Sequence, residues 1–113
     1  MPAKSDSIPP LPLPTKVTVA DQVLEYQRGL SPEPRRKLKA AILGLAHGSG
    51  DTKPLQGNLE GLSRLRVGEH RAVYRYHEGQ IQVFYAAPRN LVYEFLAAHL
   101  HEILNEREDT GGR

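Results

Sequence analysis

Three arginines, Arg64, Arg66 and Arg71, fall within eight residues. The alternation in Leu62-Ser63-Arg64-Leu65-Arg66-Val67 puts Arg64 and Arg66 on one face of a strand, with Leu65 and Val67 on the other. Gly68-Glu69 reads as a two-residue turn, and Arg71 to His77 as the returning strand, so Arg66 is expected opposite Arg71. Like charges opposed across a strand pair cost a few tenths to about 1 kcal/mol. With only Glu69 nearby to offset it, such a cluster is the footprint of a polyanion site, the competing reading being a solvated basic sheet face.

Apolar and aromatic groups accompany the arginines. Phe84 and Val73 are expected on the same sheet face, and Tyr93 is placed near the end of the central strand. Rings beside guanidinium groups suit an exposed nucleic-acid strand, because bases stack on the rings while arginine holds phosphate. Packing of a helix on the sheet is the alternative role for Phe84 and Tyr93. A second basic group, Arg35, Arg36, Lys37 and Lys39, lies near a helix start and is a candidate secondary RNA contact or a solvated face.

Other chemistries have little support. The five histidines include no HExxH pattern, there is no cysteine, and neither GxxxxGK[ST] nor GxGxxG occurs, so no metal and no cofactor are expected. His70 flanks Arg71, but strand alternation points it to the opposite face, which favours a structural role.

The elements that must position these residues can be read from periodicity. Five of the nine prolines lie in residues 1–14, which marks a proline-rich flexible segment before a domain expected at 15–104, followed by a polar tail at 105–113. Thr15 to Ala20 has the period of a short strand, with Asp21 as the cap of a brief helix that ends near Gly29. Ser31-Pro32-Glu33 opens a second helix, whose Leu38, Ala41, Ile42 and Leu45 form one apolar stripe before Gly48-Ser49-Gly50 stops it. Strands at Leu62–Val67, Arg71–His77 and Gln80–Ala86 form a three-stranded antiparallel meander, broken at Pro88-Arg89-Asn90. One face of that meander collects Leu65, Val67, Ala72, Tyr74, Tyr76, Ile81, Val83 and Tyr85; the other collects Arg64, Arg66, Arg71, Val73, Arg75, Gln82 and Phe84. Val92, Phe95, Leu96, His99, Leu100 and Ile103 then repeat as an amphipathic helix. The fold class expected is α+β.

Charge and hydropathy limit the partners. Residues 1–93 hold 13 Lys+Arg against 8 Asp+Glu, whereas 94–113 hold 2 against 5, so a basic body precedes an acidic end. No apolar run approaches the ~20 residues that span a bilayer. No membrane partner is expected, and a cytoplasmic location is.

Pro54-Leu-Gln-Gly57, Leu59-Glu-Gly-Leu62, Arg64-Leu-Arg66-Val-Gly-Glu-His-Arg71-Ala-Val-Tyr74 and Arg89-Asn-Leu-Val-Tyr93, in that element order, resemble the RelE/ParE superfamily of toxin–antitoxin toxins. The resemblance covers about Lys16 to Leu104. It implies a toxin held by a cognate antitoxin and, in the RelE-like branch, an endoribonuclease (mRNA interferase) that inhibits translation by cutting mRNA on the ribosome. By position it implies Arg64, Arg66, Arg71, Arg89 and Tyr93 as catalytic residues. Pro88 departs from the His or basic residue many relatives have there, and Arg stands for Lys at the paired positions, which keeps phosphate binding but hinders proton donation. RNA supplies its own 2′-OH nucleophile, so the implied reaction is metal-independent: arginines neutralise the phosphorane, and Tyr93 stacks or positions the nucleophile. The alternatives are a ParE-like DNA gyrase inhibitor without nuclease chemistry, or a non-toxic RelE-fold binding module.

Overall fold

A computed structural model describes residues 15–98. The expected terminal segments 1–14 and 105–113, and the helical stripe residues His99, Leu100 and Ile103, lie outside the described residues.

The elements follow as β1 (Lys16–Val19), α1 (Asp21–Arg28), α2 (Pro32–Gly44), a 3-10 turn (Leu45–His47), β2 (Asp51–Pro54), a second 3-10 turn (Gly57–Leu59), β3 (Ser63–Val67), β4 (His70–His77) and β5 (Gln80–Pro88). A last helix, α3, occupies 92–98 of the described residues. The strands form one mixed sheet in the order β1-β5-β4-β3-β2. β1 lies parallel to β5, and the other neighbours are antiparallel.

This is the α+β architecture expected, with the meander widened at both edges. The expected first strand, β1, is an edge strand parallel to β5, and the α1–α2 hairpin that follows it carries the chain across one sheet face to β2 at the other edge. β2 was not anticipated. All four of its residues are exposed, so they carry no alternating apolar signal, and pairing with the free edge of β3 makes them a strand.

Local signals explain the helices. Ser31 stands at the N-cap of α2 in extended conformation with Pro32 behind it, although its hydroxyl makes no cap bond. Ala20, not Asp21, caps α1; Asp21 lies in the first turn, where the helix dipole favours it. The two helices and the 3-10 turn after them pack Val23, Leu38, Ile42 and Leu45 against Leu65, Ala72, Ile81, Val83 and Ala86 of the sheet. Each fully buried aliphatic side chain contributes about 1.5–3 kcal/mol.

The two hairpins have the expected register at their turns: Arg66 pairs with Arg71, and His77 with Gln80. Beyond Tyr74–Val83 the second register shifts, and Val73 pairs with Tyr85. The shift reflects a bulge at Phe84, since one extra residue on β5 turns every later side chain to the opposite face. Tyr85 therefore leaves the helix-hairpin face where alternation put it. It joins Leu62, Val73, Ala87, Val92 and Leu96 in a second apolar cluster beneath α3. Past the end of β1 the side chain of Gln22 continues the edge pairing: its amide nitrogen donates to the Ala86 carbonyl at 2.7 Å, and its oxygen accepts from the Ala86 amide at 2.8 Å.

Candidate functional site

The face away from the α1–α2 hairpin carries the arginines, as expected, but it is neither bare nor free of acid. α3 covers part of it through Val92 and Leu96, and Phe95 stacks on Tyr85 with ring centroids 4.0 Å apart and planes 8° from parallel. Phe84 packs against the same cluster. Phe84 is half-buried there, so its ring takes part in the helix packing that was the alternative to an RNA contact and keeps some surface open.

β2 brings charge that local spacing did not reveal. Asp51 pairs with Arg66, and Lys53 with Arg64. The Asp51 carboxylate lies 3.6 Å from Arg64 Nη1 and 3.9 Å from Arg66 Nε, while Arg64 Nη1 also donates to the Asp51 carbonyl at 3.3 Å. The expected absence of a neutralising acid is thus corrected. The signal was out of reach of sequence reading because Asp51 lies on a strand that only the β3 edge creates. Asp51 holds the two arginines side by side, with the Arg64 side chain 16% exposed and that of Arg66 55%.

Arg71 has a different setting from the one expected. It is 9% exposed, and its Nη1 donates to the Gly68 carbonyl at 2.8 Å and the His70 carbonyl at 3.0 Å. The guanidinium therefore braces the β3–β4 turn from within. Gly68, at φ +60, supplies the left-handed residue that this turn requires.

Arg89 comes from the far end of β5 yet reaches the same turn. Its backbone amide donates to the Glu69 carbonyl at 2.9 Å, and its Nε lies 3.1 Å from the Glu69 carboxylate. Arg66, Arg71 and Arg89 are consequently gathered about one hairpin turn. Tyr93 lies in the first turn of α3, four residues on, and is 41% exposed.

His70 turns to the opposite side, as alternation requires. Its Nδ1 lies 2.7 Å from the Tyr26 hydroxyl of α1, and the two rings meet edge to face. Burial pushes the Tyr26 hydroxyl above its ordinary value of 10.0, and the nearby Tyr85 adds to the shift. The basic group of α2 stays exposed and partly engaged: Arg36 and Lys37 both pair with Glu33, and Arg35 donates to the Leu30 carbonyl at 3.0 Å. Lys39 is exposed farther along the helix.

No protein-family model matches the chain, and no curated protein does. Solved structures do match. A chain of the archaeal RelE–RelB complex from Pyrococcus horikoshii is 22% identical with a TM-score of 0.55, covering 68% of this chain and 97% of its own. A chain of the RelBE2 toxin–antitoxin complex from Mycobacterium tuberculosis is 20% identical at a TM-score of 0.59, with 68% and 93% covered. YafQ from E. coli is 14% identical at 0.54, with 70% and 98% covered.

The chain has the RelE-like fold. Within that fold the five residues singled out from sequence come from β3, β4, the end of β5 and the start of α3. Three of them, Arg66, Arg89 and Tyr93, present substantial exposed surface. The RelE-like sheet also brings in Lys53, which becomes a neighbour of Arg64 only through the edge pairing of β2.

Proposed function

We propose that the chain is the toxin of a toxin–antitoxin pair, a cytoplasmic, metal-independent endoribonuclease that cleaves mRNA on the ribosome. The observation that carries this reading is the tie between Arg89 and Glu69, which draws a cation from the end of β5 to the turn that joins Arg66 to Arg71. A scissile phosphate seated at this turn meets Arg66 and Arg89 from two elements, which is the arrangement that stabilises a crowded pentavalent phosphorus. Arg64 and Lys53 extend the positive surface along the strands toward the flanking phosphates. Arg71 keeps the turn in shape, so its role is to position the phosphate contacts. Tyr93 stacks on a base beside the cleaved bond and orients the 2′-OH for in-line attack. The reaction forms a bond between the 2′ oxygen and phosphorus, breaks the bond to the 5′ oxygen, and moves one proton from the first oxygen to the second.

The partner in this reading is an antitoxin with an acidic segment that covers the arginines. Two of the similar structures are complexes, one of archaeal RelE with RelB and one the RelBE2 toxin–antitoxin complex, which supports that expectation. The test is induction of the protein followed by mapping of mRNA 5′ ends. Cuts in phase with codons are expected, whereas intact transcripts with DNA damage would point to a gyrase inhibitor and overturn the proposal.

A further inference from the structure

The bulge at Phe84 leaves the last stretch of β5 with a strand on one side only. Ahead of it, β1 pairs with β5 as far as Val19–Val83, and the Ala20 amide closes that edge by donating to the Val83 carbonyl at 2.9 Å. There β1 ends. Past the bulge β4 still pairs with β5 through Ala72–Ala86, Arg71–Ala87 and His70–Pro88, but no strand of the described residues runs along the other side. Arg89 follows directly on this stretch, so the place of a cation assigned to the scissile phosphate depends on what holds the open side.

Gln22 of α1 takes the place of the missing strand. Its amide nitrogen donates to the Ala86 carbonyl at 2.7 Å and its oxygen accepts from the Ala86 amide at 2.8 Å, the two bonds that a hydrogen-bonded strand pair exchanges. Ala86 is fully buried. Without Gln22 its amide and carbonyl would either stay buried without partners, which is costly, or reach water only if the segment shifted. The helix that carries Gln22 is itself tied down. Val23 lies in the first core cluster, and Tyr26, one turn after Gln22 and so on the same side of the helix, bonds His70 Nδ1 at 2.7 Å. His70 opens β4, and its carbonyl accepts from Arg71. Hence α1 grips β4 and β5 together at the ends nearest the phosphate site.

We infer that Gln22 is a positioning residue for that site: it fixes β5 after the bulge and, through it, the place of Arg89 beside Glu69. Its catalytic consequence rests on the nuclease reading, whereas the link from Gln22 to Arg89 is mechanical. Arg89 is three residues beyond Ala86, about 10 Å along an extended chain, and misplacement of a catalytic group by about 1 Å can cost roughly 10²-fold in rate.

Gln22→Met tests this on the full chain, because it keeps the length and helix propensity of the side chain and removes both bonds. Native-state hydrogen exchange reads the link without reference to activity. The Ala86 amide exchanges faster once its partner is gone; positioning requires that the Arg89 amide, bonded to the Glu69 carbonyl, also accelerate by about 10-fold or more, while the Val83 amide ahead of the bulge stays within about twofold. An Arg89 amide that keeps the parent rate, or equal acceleration of Val83 and Arg89 from a general loss of stability, would overturn the inference. In mRNA cleavage on programmed ribosomes, kcat should fall roughly 10- to 100-fold with KM within about twofold. Gly48→Ala, strained at the end of the first 3-10 turn, should keep the parent kcat. An unchanged kcat in Gln22→Met, or an equal fall in Gly48→Ala, would also overturn the inference. A parent chain that cuts no mRNA refutes the nuclease reading instead, and exchange still decides the link from Gln22 to Arg89. Should Gln22→Met not fold, Gln22→Glu, which keeps the bond from the Ala86 amide and loses the one to its carbonyl, is read by the same exchange and cleavage criteria.

Discussion

Replacing Arg71 by alanine separates a bracing role from a purely electrostatic one. As an exposed member of a repelling cluster, Arg71 could be removed without harm, and the sheet would gain the few tenths to about 1 kcal/mol of relieved repulsion with Arg66. The structure dictates the opposite sign. Arg71 is 9% exposed and bonds two backbone carbonyls of its own turn, at 2.8 and 3.0 Å. Hydrogen bonds from a charged donor contribute roughly 1.5–3 kcal/mol each. Taking the low end for both, because the carbonyls are only part-buried, and subtracting the relieved repulsion, leaves a net loss of about 2 kcal/mol. For a domain of this size that corresponds to a fall in Tm of roughly 10 °C. Urea unfolding followed by circular dichroism measures it, and the midpoint should fall with no change in slope. Arg71→Lys should recover part of the loss, since an ammonium can reach one carbonyl. An Arg71→Ala protein within about 0.5 kcal/mol of the parent, or one stabilised at low salt, would refute the brace and restore the repulsion argument.

Four other outcomes are expected. Tyr93→Phe should lower mRNA cleavage by roughly 10²-fold if the hydroxyl orients the nucleophile, with Tm unchanged because the residue is exposed; unchanged cleavage in a 5′-end assay would leave only stacking. The raised Tyr26 hydroxyl contributes stability that is complete below its unfolded value of 10.0 and is lost as pH rises above it toward the folded value. Unfolding midpoints from pH 8 to 11 should therefore fall more gently in Tyr26→Phe, which also gives up the His70 bond at a cost of about 1 kcal/mol. Gly50→Ala puts a Cβ 2.9 Å from the fully buried Leu65 Cδ1 at φ +119 and should cost about 1–3 kcal/mol. Gly48→Ala, at φ +76 in open space, should cost about 1 kcal/mol in the same denaturation assay.

Local chemistry made much of this fold legible. Ser31-Pro32 marks a helix start wherever it lies in space, because the proline has no amide to lose at the first helical position. Gly68-Glu69 fixes its hairpin register through the backbone geometry of a two-residue turn, which is why the amino-acid sequence alone puts Arg66 opposite Arg71. The candidate site was legible as a set of residue types, with Arg89 and Tyr93 on the segment after the last strand. How each side chain is used was not. Arg71 reads as a surface charge in an alternating pattern, and only the turn that folds over it buries its guanidinium. Asp51 and Lys53 have no periodic signal, and they join the arginine face because β3 has an unpaired edge within reach.

The amino-acid sequence by itself determined the elements whose causes lie within a few residues: caps, two-residue turns, the apolar stripe of α2, and alternation along β3 and β4. Tertiary structure decided what depends on partners distant in the chain. Pairing with β1 and β3 made strands of the two sheet edges, and the bulge at Phe84 sent Tyr85 to the α3 side. The ion pair to Glu69 brought Arg89 to the turn between β3 and β4. Hydrogen bonds of a local turn form wherever their residues are, whereas edge pairing, burial and long-range ion pairs require that the rest of the chain first bring the groups together.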